Sequence, residues 1–157
     1  MPMRKRAKKG FTLVEIIVSI GVLAVVSVFV LRMFVQSENT QQKARDMDFA
    51  VLEAGSLVEA VKTLQSPDGI LALLPAAAAV SDGYTAELRY GKDYAALDAT
   101  AGDARFTMRI FFHRTEGTDA GALWDIDVEI TRNDPYLLES GTPIIYTVWS
   151  EKYFPTI

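Results

Sequence analysis

The stretch that decides the architecture is Gly10-Phe-Thr-Leu-Val-Glu15, which an apolar run from Ile16 to Leu31 follows at once. Between Phe11 and Leu31, Glu15 is the one residue that can ionise. As an α-helix this segment would be roughly 32 Å long, which matches the hydrocarbon thickness of a bilayer. Lipid offers no hydrogen bonds to an open backbone, so a helix is expected despite the many Val, Ile and Phe residues. The sequence therefore predicts a membrane-spanning helix near the N-terminus.

The small residue and the basic cluster lie before the apolar run, not after it. An ordinary secretory signal is cut after its apolar core, so the core is lost from the mature chain. A cut between Gly10 and Phe11 would instead remove a short leader and leave the apolar helix as the new N-terminus. The basic residues of this leader are Arg4, Lys5, Arg6, Lys8 and Lys9. Such a cluster favours retention of the leader on the cytoplasmic side of the membrane.

In this order of residues the chain resembles the type IV pilin-like family, which includes the pseudopilins. Gly10, Phe11 and Glu15 match the family's prepilin pattern, and the resemblance extends over about residues 4–36. It implies that prepilin peptidase cuts between Gly10 and Phe11 and that the new amino group of Phe11 is methylated. It also implies that Glu15 pairs with the amino group of an adjacent subunit during assembly.

The same resemblance implies a location and a set of partners. The protein would be a structural subunit that crosses the cytoplasmic membrane once, with its N-terminus in the cytoplasm. Its globular domain would lie outside the membrane and join a cell-surface or periplasmic fibre. The implied partners are prepilin peptidase, other pilin or pseudopilin subunits, the inner-membrane assembly machinery and membrane lipid. Type IV pili, type II secretion and DNA uptake (competence) all use this layout.

The chain departs from the family's pattern in two places. The helix-kinking proline that the family often has is missing between Phe11 and Gln65, so that kink is in doubt. The C-terminal disulfide of many Gram-negative pilins is excluded because the chain has no cysteine.

Other interpretations of the N-terminal segment stay open. The helix could be the uncleaved anchor of a bitopic binding or sensor domain, with Glu15 a carboxylate that snorkels to the interface. Val35-Gln36-Ser37 places small residues one and three positions before a cut, as an ordinary signal-peptidase site does. The preceding apolar run, however, is longer than the usual signal core of about 7 to 15 residues.

The apolar pattern changes after Arg32 and predicts one helix that continues to about residue 65. Its second half carries an amphipathic stripe at three- and four-residue steps. The stripe consists of Met47, Ala50, Ala54, Leu57, Val61 and Leu64. Ser66-Pro67-Asp68-Gly69 then ends the helix. The expected organisation is a leader (1–10), a membrane and assembly helix (11–36) and a globular domain (37–157). Within the domain, residues 37–65 continue the helix, 66–83 form a connecting region with a short helix, and 84–157 form a sheet.

Four segments with alternating polarity predict the strands of that sheet. They are Tyr84–Tyr90, Arg105–His113, Ala122–Thr131 and Pro143–Ser150. The predicted fold class is α+β and pilin-like: a long N-terminal helix packed on a roughly four-stranded antiparallel sheet. The expected core joins Met47, Leu57, Val61 and Leu64 of the helix to Phe106, Ile110, Trp124, Ile126 and Val128 of the sheet.

Charge and composition narrow the possible functions. Five of the 16 basic residues lie in the first ten positions, which leaves 11 basic and 20 acidic residues after Gly10. Phosphate backbones repel such an acidic domain, so no broad nucleic-acid-binding surface is expected. The absence of cysteine removes thiolate nucleophiles and zinc sites of the cysteine type.

No catalytic constellation or cofactor motif is visible in the sequence. His113 is the only histidine, and no acid or nucleophile stands at a recognisable spacing from it. We therefore expect neither an enzyme nor a cofactor. Asp125, Asp127 and Glu129 alternate along one strand and share a face, which could collect calcium. The glycine and loop carbonyls of a typical calcium site are missing, so a solvated polar face is the preferred interpretation.

Overall fold

The chain consists of a long helix followed by a short helix and a sheet. The computed structural model describes residues 12–155. The helices are α1 (Leu13–Thr63) and α2 (Gly69–Leu73). The strands are β1 (Ala78–Val80), β2 (Gly83–Tyr90), β3 (Ala96–Leu97), β4 (Phe106–Thr118), β5 (Gly121–Arg132) and β6 (Ile144–Pro155). α1 runs through two compact units, one that ends at Thr40 and one that begins at Gln41.

The strands form a single antiparallel sheet with the order β1-β2-β4-β5-β6, and β3 pairs with β2. The predicted α+β class, with a long N-terminal helix on an antiparallel sheet, is confirmed. The sheet has six strands, whereas about four were predicted, since the prediction did not include β1 and β3. These strands have only three and two residues, too few to produce a visible alternation.

The predicted strands are located correctly, but two of them end too early. β4 continues past His113 to Thr118 through a register shift between Arg114 and Glu116. The shift interrupts the two-residue alternation, which hides the end of the strand from a sequence pattern. β6 continues past Ser150 to Pro155 because it follows β5 along its whole length. The short helix expected in the connecting region is α2.

The core lies between the second half of α1 and one face of the sheet. From α1 it contains Ala50, Ala54, Leu57, Val58 and Val61, and from the sheet it contains Phe106, Met108, Ile110, Phe112, Ile126, Val128 and Ile130. Leu64 and Trp124 pack against it and are partly buried. The predicted alternation of β4 and β5 is therefore confirmed. Phe49 joins the helix to the sheet, with its ring 5.1 Å from Tyr90 and 5.4 Å from Phe106.

The prediction that Met47 belongs to the core is wrong. Its side chain is 42% exposed, whereas the preceding residue, Asp46, is 2% exposed. The buried residues Asp46, Ala50 and Ala54 follow one another along α1 with a constant step of four. A pattern search for apolar residues passes over an aspartate, so the predicted stripe contained Met47 in place of Asp46, whereas its members from Ala50 to Val61 are buried.

Asp46 is buried because several donors from distant parts of the chain meet at its carboxylate. Arg132 Nη1 lies 2.8 Å from Asp46 Oδ2, and Tyr136 Oη donates to the same oxygen at 2.9 Å. Tyr94 Oη donates to Oδ1 at 3.0 Å. Burial is the main reason that the pKa of Tyr94 and of Tyr136 is raised, so both hydroxyls stay protonated at neutral pH. This buried cluster fixes α1 against the end of β5 and two loops.

We expect that removing either partner of the Asp46–Arg132 pair alone lowers the free energy of unfolding. Asp46→Ala leaves a buried, unpaired guanidinium and should cost about 3 to 5 kcal/mol of unfolding free energy. Asp46→Leu combined with Arg132→Met removes both charges and should recover most of that loss. Urea denaturation of residues 41–157, produced without the apolar segment, measures both variants. If Asp46→Ala unfolds at the wild-type midpoint, the cluster does not fix the helix.

The two faces of β5 give a second prediction. Ile126 is completely buried, whereas the Asp127 side chain is 39% exposed on the outer face. Ile126→Ala should cost about 2 to 5 kcal/mol, and Asp127→Ala should stay within about 0.5 kcal/mol. Denaturation midpoints of the two variants test the assignment, because a slip of one residue would exchange the faces. A larger loss for Asp127→Ala would contradict it.

Candidate functional site

The residues singled out in the sequence lie at the start of α1 and before it. Gly10, Phe11 and the leader residues Arg4, Lys5, Arg6, Lys8 and Lys9 lie outside the described residues. Their predicted roles therefore stay predictions. Glu15 lies in the first turn of α1, three residues after the first described residue, Thr12.

The side chain of Thr12 caps the first turn of α1. The backbone N–H of Glu15 donates to Thr12 Oγ1 at 3.3 Å and to the carbonyl oxygen of Thr12 at 3.0 Å. Thr12-Leu-Val-Glu15 also has the spacing of a capping box, Thr-x-x-Glu. Sequence reasoning missed this role, although the spacing was present in the sequence. Among the described residues the helix begins at Leu13, and an acid near its N-terminus is favourable for the helix dipole.

Glu15 lies on a helical segment that is apolar on all sides. Every described residue from Leu13 to Phe34 is exposed in the single chain. By length and composition α1 is the one described helix that could cross a membrane. None of the described ion pairs includes Glu15. A charge at mid-bilayer costs about 2.5 to 3.5 kcal/mol on insertion scales and less near the interface. A membrane-embedded Glu15 therefore gains from a cationic partner.

The polar side chains within the apolar segment are satisfied by the helix itself. Ser19 Oγ donates to the carbonyl oxygen of Glu15 at 2.7 Å, and Ser27 Oγ donates to that of Leu23 at 2.8 Å. These hydroxyls therefore need no water when the helix is covered by lipid or by other helices. Between Leu13 and Leu31 the remaining polar side chain is that of Glu15. No described hydrogen bond or ion pair includes its carboxylate.

The polar face suggested by Asp125, Asp127 and Glu129 has a histidine and an arginine as neighbours on β4. His113 Nε2 lies 3.7 Å from Asp125 Oδ2, and His113 Nδ1 lies 3.9 Å from Asp127 Oδ2. Arg109 Nη1 lies 3.9 Å from Glu129 Oε1. Within residues 12–155, no group of three or more His, Asp or Glu side chains is placed to hold a metal ion. The preference for a solvated polar face over a calcium site therefore stays a prediction.

Comparison with known families supports the interpretation of the N-terminal segment. Residues 5–31 match the family model described as the prokaryotic N-terminal methylation motif. Neither the curated proteins nor the solved structures contain a match to the chain. The match covers the leader from Lys5 onward, Gly10, Phe11, Glu15 and the apolar run as far as Leu31. The chain therefore carries the prepilin signature of type IV pilin-like proteins, which are structural subunits and substrates of prepilin peptidase.

Proposed function

We propose that this chain is a structural subunit of a pilin-like fibre, either a type IV pilus or a type II secretion pseudopilus. Prepilin peptidase cuts between Gly10 and Phe11, and the new amino group of Phe11 is methylated. The observation that carries the proposal is the order of the N-terminal segment. A basic leader, the Gly10-Phe11 step, Glu15 and a fully exposed apolar helix follow one another within residues 4–34.

Before assembly, the subunit waits in the cytoplasmic membrane with its leader in the cytoplasm. The basic leader supports this orientation, since Lys and Arg residues stay on the cytoplasmic side. The domain from Gln41 onward then lies outside the membrane. In this state the apolar half of α1 is covered by lipid, and prepilin peptidase and the inner-membrane assembly machinery are the partners.

During assembly, the apolar half of α1 leaves lipid and packs against the helices of other subunits. Lipid tails are as apolar as these side chains, so the transfer itself contributes little. The gain must come from close packing and from polar pairs. Glu15 supplies the pair, with the amino group of Phe11 on a neighbouring subunit as its cation. That pair also sets the position of one subunit relative to the next.

Processing gives the first test of the proposal. Gly10→Val should leave the leader attached, because its side chain fills the protease subsite in which glycine presents only hydrogen. Gly21→Val is the matched control, since it is the same substitution inside the apolar helix, away from the cut, and a side chain at Gly21 would contact nothing within 4 Å. The masses of the two variant proteins in the membrane fraction distinguish the outcomes. Normal removal of the leader from Gly10→Val would contradict the assigned cut.

Assembly gives the second test. Glu15→Val removes the charge, so membrane insertion should persist or improve while incorporation into fibres falls. Glu15→Gln separates two roles of this residue, because glutamine keeps the capping-box spacing with Thr12 but cannot form the ion pair. Both variants should fail to assemble, whereas Thr12→Ala should assemble with a somewhat less stable first turn. The subunit content of sheared fibres measures incorporation. Normal incorporation of Glu15→Gln would rule out charge pairing.

A further inference from the structure

A cavity of about 430 Å³ opens beside the hairpin that joins β1 to β2. Its volume lies in the range of sites that hold small molecules, which is about 300 to 1,000 Å³. Among its lining residues are Asp82, Tyr84, Arg114 and Trp124. All of them belong to the compact unit that begins at Gln41. The globular unit therefore forms this cavity by itself, from charged and aromatic side chains.

Aromatic rings form one wall of the cavity. The rings of Tyr84 and Trp124 are nearly parallel, with 22° between their planes and 6.2 Å between their centroids. The hydroxyl of Tyr84 donates to the carboxylate of Asp68, and Trp124 stacks on Phe112 with 4.8 Å between the ring centroids. Both rings are thus held in place by their neighbours. Rings that are already fixed offer apolar contact to a ligand at little cost in conformational entropy.

Packing alone does not account for a tryptophan at position 124. Within residues 12–155, Trp124 Nε1 is buried and has no hydrogen-bond partner. A buried donor without an acceptor costs free energy, and a phenyl or aliphatic side chain would pack without that cost. Such groups are rare in native proteins, and each one calls for an explanation. A role of Trp124 in the wall of a binding site supplies one.

Two residues of opposite charge stand at this cavity. The N–H of Arg114 donates to the carbonyl oxygen of Asp82 at 2.9 Å, which continues the ladder between β2 and β4 beyond the Gly83–His113 pair. Asp82 and Arg114 are therefore cross-strand neighbours, a position in which opposite charges usually pair. None of the ion pairs described within residues 12–155 includes either side chain. Both charges are thus available to a ligand.

The irregular end of β4 determines where the guanidinium of Arg114 lies. The register of β4 shifts between Arg114 and Glu116, and a bulge of this kind changes the direction of a side chain. The guanidinium lies over Gly117, where any side chain would collide with Arg114 Nη2 and Cζ. The cavity therefore presents a cation and an anion that do not neutralise each other by direct contact.

We propose that this cavity binds a free α-amino acid with a large apolar side chain. Arg114 binds the carboxylate, because a guanidinium presents two parallel donors to such a group. Asp82 binds the ammonium group, and the rings of Tyr84 and Trp124 contact the side chain. The site lies within the globular unit, so the inference goes beyond the proposed function and depends neither on the cut before Phe11 nor on fibre assembly.

The two charges select this class of ligand over simpler ions. A plain carboxylate would bring its negative charge close to Asp82, and a plain amine would bring its positive charge close to Arg114. Each would therefore meet a repulsive group as well as an attractive one. A free amino acid carries both charges on one carbon atom, which suits cross-strand neighbours, whereas a peptide separates its two terminal charges along the chain.

Tryptophan fluorescence provides a direct test, because the chain has two tryptophans. Trp149 is exposed and pairs with Asp127, so the variant Trp149→Phe leaves Trp124 as the reporter beside the cavity. L-Phenylalanine is titrated into this full-length protein in detergent micelles. Two analogues serve as matched ligand controls: 3-phenylpropionate lacks the ammonium group, and phenethylamine lacks the carboxylate. L-Phenylalanine should change the emission of Trp124 saturably, and each analogue should bind more weakly by about tenfold or more.

Substitutions in the same background assign the two charged contacts. Arg114→Gln and Asp82→Asn should each weaken the binding of L-phenylalanine by about tenfold or more. Asp82→Asn should also abolish the preference over 3-phenylpropionate, and Arg114→Gln the preference over phenethylamine. Arg109→Gln is the matched control, since Arg109 lies on the same strand, where it neighbours Glu87 and Glu129, and should leave binding unchanged. Circular dichroism verifies that every variant is folded.

Three results would overturn the inference. One is the lack of any saturable response to L-phenylalanine at millimolar concentrations. Another is equal binding of L-phenylalanine and 3-phenylpropionate, because the site would then recognise a carboxylate alone. The third is a loss in Arg109→Gln as large as that in Arg114→Gln, which would place the binding elsewhere. An uncleaved chain would still bind the amino acid, and fibres that form normally from Arg114→Gln would leave the proposed function intact, so the two proposals fail separately.

Discussion

A helix that is apolar on every face cannot remain in water, and this constraint governs the molecule. Within residues 12–155, every residue of α1 from Leu13 to Phe34 is exposed. In the proposed function, lipid satisfies the constraint for a single subunit, and neighbouring helices satisfy it in a fibre. Because both environments are apolar, the exchange between them is nearly balanced, and a single polar group can bias it. In the proposed function Glu15 is that group, and one carboxylate near the start of a long apolar segment would then decide assembly.

The second half of the same helix meets a different constraint, since it must pack on a sheet. Small residues at Ala50 and Ala54 allow close approach, and Leu57 and Val61 fill the core. Asp46 adds a position-specific contact through Arg132, Tyr94 and Tyr136. A buried ion pair is weak evidence for added stability, but it penalises any alternative placement of the helix that would leave a charge unpaired. The globular unit therefore has its own core and its own means of fixing α1.

Local patterns in the sequence were sufficient to predict the class of the fold and to identify the prepilin signature. Alternation in Ala122–Thr131 identified the buried face of β5, and the order around Gly10 and Glu15 identified the prepilin signature. What the sequence did not reveal depends on contacts between distant residues. Asp46 and Arg132 are 86 positions apart, so nothing near Asp46 indicates that its carboxylate is buried and paired. Leu138 has a left-handed backbone conformation with a φ of 63°, which was equally hidden because leucine is not a residue that predicts it. Thr12 differs from these cases, since its capping spacing was readable and was overlooked.

The central claim is that the chain becomes a fibre subunit through one cut before its apolar helix. Mass spectrometry of the N-terminal peptide from membranes and from sheared fibres tests that claim most directly. The account predicts a peptide that begins at Phe11 and carries one methyl group on its α-amino nitrogen. An intact N-terminus at Met1 or Pro2 would instead indicate an uncleaved anchor, and a peptide that begins at Glu38 would indicate ordinary signal-peptidase cleavage. Either result would contradict the account.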